Sequence, residues 1–94
     1  MTNMNVKVLN NPQASRYEAL VDETVVGYCD YRRQGSELIL PHTYTEPAYR
    51  GRGVADSIVE VVIADAKKDG LTVVPQCWFV EEFLRRTRQS RSDS

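Results

Sequence analysis

One stretch of the sequence combines glycines and cations in an arrangement that favours anion binding. It reads Arg50-Gly51-Arg52-Gly53-Val54-Ala55 and joins a strand-like segment to a helix-like one. Gly51 and Gly53 lack a Cβ atom, so the backbone there can turn tightly and approach a ligand closely. The first N–H groups of a helix have no partner within it and lie at the positive end of its dipole. The stretch therefore predicts a cradle suited to a phosphate, with a purely structural loop as the alternative.

Two side chains outside this turn are candidates for proton transfer or nucleophilic chemistry. His42 is the only histidine, and histidine is a common general base near neutral pH. Cys77 precedes a predicted helix, whose N-terminus would lower the thiol pKa and favour the thiolate. Both residues also have a simple structural alternative, as a hydrogen-bonded strand histidine and a small buried apolar group. Glu46 is a second candidate base, and Cys29 is predicted to be structural.

The elements that must position these residues begin with an antiparallel meander. Strand-like segments cover residues 6–9, 16–22, 25–32 and 37–45, with short polar turns between them. Strict alternation in the last segment predicts one face with Leu38, Leu40, His42 and Tyr44, and another with Ile39, Thr43 and Thr45. Pro41 cannot donate to a ladder, so it predicts an edge position or a bulge.

The second half of the chain predicts a crossover. Apolar residues recur at helical spacing over residues 54–69, and Gly70 is a typical stop. A strand over 71–77 and a short helix over 78–86 follow. Strand, helix and strand in this order predict a right-handed connection to a parallel neighbour. We therefore expect one domain over residues 1–94, of α/β class with a mixed sheet, a core of about residues 5–86 and a frayed tail at 87–94.

Composition narrows the functional classes. The 94 residues carry a net charge of −1, with 41% hydrophobic and 27% charged residues, which is ordinary for a folded globular chain. No strong field attracts nucleic acid, no apolar run is long enough to span a membrane, and no signal peptide is recognisable. Two cysteines make neither a disulfide framework nor a metal site. We expect a cytoplasmic protein with reduced thiols, no metal, and no membrane or nucleic-acid partner.

Three separated motifs resemble the short, roughly one-hundred-residue members of the GNAT superfamily of acetyl-CoA-dependent N-acetyltransferases. They are His42-Thr43 followed by Pro47, the turn Arg50–Ala55, which fits the pattern Arg/Gln-x-x-Gly-x-Gly/Ala, and Val74-Pro75-Gln76-Cys77. The resemblance covers about residues 16–86. One position departs from it, because Phe79 stands where these relatives commonly carry a tyrosine that could act as a general acid.

The resemblance implies a truncated GNAT fold, in which a parallel strand pair splays around a central helix and acetyl-CoA occupies the cleft. It implies that backbone N–H groups around Gly53 hold the pyrophosphate and that the strand at 43–45 pairs with the pantetheine arm. Cys77 would accept the acetyl group or line the thioester site, and His42 would relay a proton. The implied cofactor-binding residues are Thr43, Tyr44, Thr45, Arg50, Gly51, Arg52, Gly53, Val54 and Ala55.

The leading hypothesis is transfer of an acetyl group to a primary amine. No residues remain for a separate substrate domain, so the acceptor site is expected to be an open groove that suits a peptide or protein amine, on a monomer or weak dimer. An alternative is a CoA- or acyl-CoA-binding module with little turnover, which the missing hydroxyl at Phe79 favours. A third hypothesis is a protein-interaction adaptor that uses the basic tail and a sheet edge.

Overall fold

The computed structural model describes the backbone of residues 5–92 and the side chains of residues 5–87. Within that range, five strands form a single sheet in sequence order, and two α-helices follow the meander. The strands are β1 (Lys7–Asn11), β2 (Arg16–Val21), β3 (Thr24–Gln34), β4 (Glu37–Thr45) and β5 (Thr72–Pro75). The helices are α1 (Val54–Lys68) and α2 (Trp78–Ser92), and one 3-10 turn covers Pro47–Tyr49.

The predicted topology is confirmed. Strands β1 to β4 pair antiparallel, whereas β4 and β5 pair parallel through the crossover helix α1. Helix α1 ends where Gly70 adopts a φ of 70°, and the Leu71 N–H reaches back to the Ala66 carbonyl at 2.8 Å. A glycine at positive φ ends a helix without a Cβ clash, and for this reason the end of α1 could be predicted from the sequence.

The predicted alternation along β4 is wrong because a bulge occurs at Pro41, where the sequence predicted either an edge position or a bulge. In the β3–β4 register, Asp30 faces His42 and Arg32 faces Ile39, so Leu40 and Pro41 together oppose one residue of β3. The extra residue reverses the order of faces beyond it. Thr43 and Thr45 therefore lie on the same face as Leu38, where they pair across the ladder with Cys29 and Gly27. His42 and Tyr44 lie on the other face.

Helix α1 packs across all five strands and supplies much of the core. Its residues Ile58, Val59 and Val62 are completely buried. The strand beneath comes so close that a Cβ atom at Gly27 would lie 2.8 Å from the Tyr44 carbonyl oxygen and 3.1 Å from Val54 Cγ1. Helix α2 contacts both α1 and the β4–β5 pair, so the two helices share one face of the sheet. The opposite face carries no helix from the described part of the chain, and we call it the open face.

Several predicted boundaries differ from the observed ones. Strand β5 is shorter than predicted, because its pairing with β4 ends at Leu40 and Pro75. Helix α2 does not end at Arg86 as predicted but continues to Ser92, since no glycine or proline interrupts residues 86–92. The Thr87 hydroxyl donates to the Phe83 carbonyl at 2.8 Å within it. The last two residues of the predicted frayed tail lie outside the described range. Neither helix is long and apolar enough to cross a lipid bilayer.

Candidate functional site

A cleft opens where β4 parts from β5. The last ladder contact is the Gln76 N–H bonded to the Leu40 carbonyl at 3.1 Å, after which the chain turns into α2. The cleft has a volume of about 860 Å³. Nearly all the predicted site residues line it: His42, Thr43, Tyr44, Thr45, Arg50, Gly51, Gly53, Val54, Ala55 and Cys77. Folding thus brings the glycine-rich turn, the end of β4 and the cysteine after β5 to one place.

The N-terminus of α1 forms one wall of the cleft and has no side-chain cap. Gly53 is the N-cap residue, with a φ of 81° and no side chain to accept a bond from the first amides. Gly51 also has a positive φ, of 78°, and apart from its neighbours in the chain no described atom lies within 4 Å of a Cβ built on either glycine. Open space above uncapped amides is the arrangement that a phosphate group fits, so the residues present suit a diphosphate.

The nearby guanidinium groups have different surroundings. Arg50 donates from Nε to the Thr45 carbonyl at 3.1 Å, which ties the turn to the end of β4. Arg52 lies over the Tyr49 ring, at 5.8 Å from its centroid, and does not line the cleft. Arg86 of α2 does line it, and its Nη2 lies 3.6 Å from the Asp56 carboxylate in the first turn of α1. Among the side chains of residues 5–87, Arg50 and Arg86 are therefore the cations that line the cleft.

The edge of β4 that faces the cleft offers free backbone groups. The Glu46 N–H donates to the Val26 carbonyl at 2.8 Å, so these two residues form a hydrogen-bonded pair. Hydrogen-bonded and non-hydrogen-bonded pairs alternate along an antiparallel ladder. It follows that the backbone groups of Thr43 and Thr45 point away from β3 and toward the cleft. The Thr45 carbonyl accepts from Arg50 and the Thr43 N–H donates to the Cys77 sulfur, whereas the Thr45 N–H has no protein partner in the described range. An extended ligand could pair with this edge.

Cys77 occupies the N-cap position of α2. Its carbonyl accepts a bond from the Glu81 N–H at 3.1 Å, and its sulfur lies 3.4 Å from the Thr43 hydroxyl. Burial opposes ionisation, but hydrogen bonds from the Thr43 side chain and from the backbone of Phe79, Val80 and Thr43 outweigh it and lower the pKa of the Cys77 thiol. The thiol therefore takes the place of the oxygen that usually caps a helix, and its anion is favoured.

Cys29 contrasts with Cys77, although both flank Thr43. It pairs with Thr43 across the ladder and is completely buried. Burial raises the pKa of the Cys29 thiol to about 12, with a smaller contribution from Cys77. A thiol in this setting is a small apolar core group.

His42 lies on the open face, beside two tyrosines. Its ring centroid is 6.0 Å from that of Tyr28, and the rings of Tyr28 and Tyr44 are 5.4 Å apart. His42 is exposed and shares the cleft lining with Cys77, but no hydrogen bond joins the two side chains. The other candidate base, Glu46, is exposed at the end of β4. Of the two candidate bases, His42 lines the cleft and Glu46 does not.

Six of the described residues that line the cleft were not predicted as site residues: Pro41, Tyr49, Asp56, Trp78, Phe79 and Arg86. Trp78 is the most conspicuous of them, because 76% of its surface is exposed beside Cys77. The sequence places a tryptophan directly after Cys77, but it does not show that the start of α2 lies at the cleft. Trp78 could therefore not be assigned to the site from the sequence. Asp56 and Arg86 are separated by 30 positions, and only the packing of α2 on α1 brings them together.

The family comparison matches most of the chain. Residues 16–93 fit the family described as GCN5-related N-acetyl-transferase. Protein NATD1 from Bos taurus is 29% identical over 56 residues, which cover 58% of this chain and 50% of that protein. The chain spans about half the length of that curated relative.

Solved structures share the fold. The ribosomal-protein-alanine N-acetyltransferase from Brucella melitensis biovar Abortus 2308 superimposes with a TM-score of 0.62 and 20% identity, over 66% of this chain and 49% of that one. The PaiA N-acetyltransferase from Thermoplasma acidophilum, solved in complex with coenzyme A, gives 0.57 and 20%, over 60% of this chain and 35% of that one. Together with the family match, the mixed sheet and its splayed parallel pair show that this chain belongs to the GCN5-related N-acetyltransferases.

Proposed function

We propose that the protein transfers an acetyl group from acetyl-CoA to a primary amine. One observation carries the proposal: a single cleft joins the uncapped N-terminus of α1 to a cysteine whose pKa is lowered. The first feature suits the diphosphate of CoA, and the second suits a thioester or an acyl group. The family membership of the chain and the coenzyme A held by the Thermoplasma relative support the same activity.

The chain's own residues would hold acetyl-CoA along the cleft. The amides that follow Gly53 bind the diphosphate, with Arg50 and Arg86 adding positive charge. The cleft edge of β4 at Thr43–Thr45 pairs with the extended pantetheine arm and so directs the thioester toward Cys77. Acetyl-CoA supplies the activated acetyl group. Holding both reactants in one orientation contributes much of the rate enhancement.

The remaining residues act in proton transfer and in stabilising the oxyanion. The amine nitrogen attacks the thioester carbonyl carbon, so a C–N bond forms and the C–S bond breaks, with the electron pair leaving on sulfur. His42 or Glu46 takes the proton that the amine loses, and backbone N–H groups of β4 stabilise the oxyanion. On a second route the Cys77 thiolate first accepts the acetyl group and then passes it to the amine.

The test combines binding and turnover. Acetyl-CoA at one hundred times its dissociation constant should raise the unfolding free energy by about 2.7 kcal/mol, which shifts the melting temperature by several degrees in a domain of this size. Release of free CoA is then measured on a panel of amines for the wild type, Cys77→Ala and Cys29→Ala. We expect Cys29→Ala to keep its turnover, whereas Cys77→Ala loses turnover on the covalent route and is only slowed on the direct route. The absence of any melting shift would contradict the proposal and favour an interaction adaptor.

A CoA- or acyl-CoA-binding module is the second candidate function, and Phe79 favours it. Phe79 lines the cleft next to Cys77 and has no hydroxyl to protonate a leaving thiolate. The melting shift would then match that of an enzyme, but no amine in the panel would release CoA. Intact mass spectrometry after incubation with acetyl-CoA adds a distinction, because an acetylated Cys77 shows the covalent route.

The proposal also includes the type of acceptor amine, the cellular location and the oligomeric state. The cleft is open to solvent rather than enclosed, so we propose an acceptor amine on a peptide or protein or on an extended molecule. We also propose that the protein acts in the cytoplasm, as a monomer or weak dimer. Light scattering at two protein concentrations tests the assembly state.

A further inference from the structure

The Cys77 sulfur lies in the part of the cleft where the sulfur of a bound cofactor would also lie. It is 3.4 Å from the hydroxyl of Thr43, which belongs to the free edge of β4 that suits a pantetheine arm. The uncapped amides that follow Gly53 line the same cavity and suit the diphosphate. A CoA molecule bound by its diphosphate and its arm would therefore bring its own sulfur to Cys77. Two sulfur atoms side by side allow a reaction that acetyl transfer does not use.

The Cys77 thiol has the properties that thiol–disulfide exchange requires. The attacking species in this exchange is the thiolate, and it must be accessible to the disulfide. Burial opposes ionisation of Cys77, but hydrogen bonds from the Thr43 side chain and from the backbone of Phe79, Val80 and Thr43 outweigh it and lower the pKa of the thiol. The side chain is only partly buried, and it lines a cleft that is open to solvent rather than enclosed. A disulfide held in the cleft can therefore reach it.

We propose that Cys77 is a site of reversible modification by CoA, formed when the symmetric disulfide of CoA enters the cleft as the co-reactant. This inference rests on the proposed acetyltransferase function, because the same groups bind the nucleotide. The Cys77 thiolate attacks the sulfur of the bound CoA half, so a new S–S bond joins that half to the protein. The S–S bond of the CoA disulfide breaks, and its second half leaves as a thiolate with the electron pair. Cys77 is thereby oxidised and one CoA half is reduced.

The modification would stop the enzyme until a thiol removes it. The attached CoA half fills the cofactor cleft and consumes the Cys77 thiol, so acetyl-CoA is excluded on both the direct and the covalent route. A small thiol that attacks the CoA sulfur releases the Cys77 thiolate, and a thiol of lowered pKa is a good leaving group. Turnover would thus follow the balance between the thiol and the disulfide forms of CoA.

Cys29 is an internal control for the modification. It pairs with Thr43 across the ladder and is completely buried, and it does not line the cleft. Burial, with a smaller contribution from Cys77, raises the pKa of the Cys29 thiol to about 12. Cys29 is therefore neither accessible nor ionised near neutral pH, and CoA should not attach to it.

The first test compares three disulfides on the reduced protein. CoA disulfide carries the nucleotide and the arm, pantethine carries the arm without phosphates, and glutathione disulfide carries neither. Intact mass spectrometry follows the rate, and peptide mapping of the wild type identifies the modified cysteine. We expect one CoA half per chain, on Cys77, at a rate about 100-fold higher than that of glutathione disulfide at equal concentration, because binding holds the reagent beside the thiol. Desulfo-CoA, which lacks the sulfur atom, should compete and remove this advantage.

Two neighbouring arginines provide matched variants for the nucleotide contribution. Arg86 lines the cleft, whereas Arg85 does not and pairs with Glu82. We expect Arg86→Gln to slow the reaction with CoA disulfide about tenfold and to leave the reaction with glutathione disulfide unchanged. Arg85→Gln should change either rate by less than about twofold. Cys77→Ser should acquire no CoA.

Several results would overturn the proposal. They are equal rates for CoA disulfide and glutathione disulfide, attachment of CoA to Cys29, an internal disulfide between the two cysteines in place of attached CoA, and acetyl-CoA binding that survives complete modification. Dithiothreitol should release CoA from the modified protein and restore the binding of acetyl-CoA. A melting shift with acetyl-CoA but no selective modification would leave the acetyltransferase function in place and remove only the modification. Loss of the melting shift itself would overturn both.

Discussion

The core under α1 and the cleft beside it contain the same residue types in opposite situations. The core contains Cys29, Gly27 and Tyr17, and the cleft contains Cys77, Gly53 and Tyr44. In the core each residue is fixed by close neighbours, whereas in the cleft each has a free side or free polar groups. Residue type alone therefore does not separate structural from functional positions. The surroundings of a residue separate the two kinds of position, and matched substitutions in the core and in the cleft test that separation.

The largest expected contrast is between the two thiols. With a pKa of about 12, roughly one Cys29 thiol in ten thousand is ionised at pH 8, and its burial blocks access as well. The lowered pKa of Cys77 makes the ionised fraction of that thiol larger than that of an ordinary thiol at the same pH. We expect iodoacetamide to modify Cys77 at least about 1000-fold faster, measured by mass spectrometry of the two peptides. In urea the rates should become equal, and equal rates in the folded protein would contradict the assignment.

The pH dependence has a defined sign. Because the folded pKa of Cys77 is lowered, the alkylation rate should reach half its maximum below the pH expected for a free thiol. The same shift stabilises the folded state above the ordinary thiol pKa, and this contribution disappears as the pH falls through the lowered value. Cys77→Ser serves as the control, because it should abolish the early rise in reactivity and leave only Cys29.

The next contrast is between two glycines. Alanine at Gly27 would place a methyl group 2.8 Å from a backbone oxygen and 3.1 Å from Val54, so strands and helix must move apart. We expect a loss of about 3 kcal/mol in unfolding free energy. Alanine at Gly53 meets no atom but must adopt a φ of 81°, which costs about 1 kcal/mol. Urea unfolding measures both, and an equal or reversed order would show that α1 does not approach β3 so closely.

The smallest contrast concerns two tyrosine hydroxyls. Tyr17 donates to the Asp65 carboxylate at 2.8 Å beneath α1, and its removal in Tyr17→Phe leaves that carboxylate without this donor. We expect a loss of about 1.5 kcal/mol, against less than about 0.5 kcal/mol for Tyr44→Phe on the open face. Thermal unfolding of both variants tests the difference. Similar losses would mean that the Tyr17–Asp65 hydrogen bond contributes no more to stability than the Tyr44 hydroxyl does.

Much of the fold followed from local patterns. Strand β4 was predicted with its observed bounds, and α1 within one residue, because helical spacing and Gly70 define it. The glycines and cations of residues 50–55 predicted a phosphate-binding turn, and the structure places that turn at an uncapped helix start. These features depend on residues that are close together in the sequence, so they can be predicted from the sequence alone.

What only the tertiary structure decided depends on register. One extra residue at Leu40 and Pro41 reverses the faces of β4, which brings Thr43 to Cys77 and turns His42 toward Tyr28. The sequence predicted an edge position or a bulge at Pro41, and the pairing of the strands decided between them. The contact between Thr43 and Cys77 joins residues 34 positions apart, and the ion pair of Asp56 and Arg86 joins two helices. Such contacts are set by how strands pair and helices pack, and neither has a local signature in the chain.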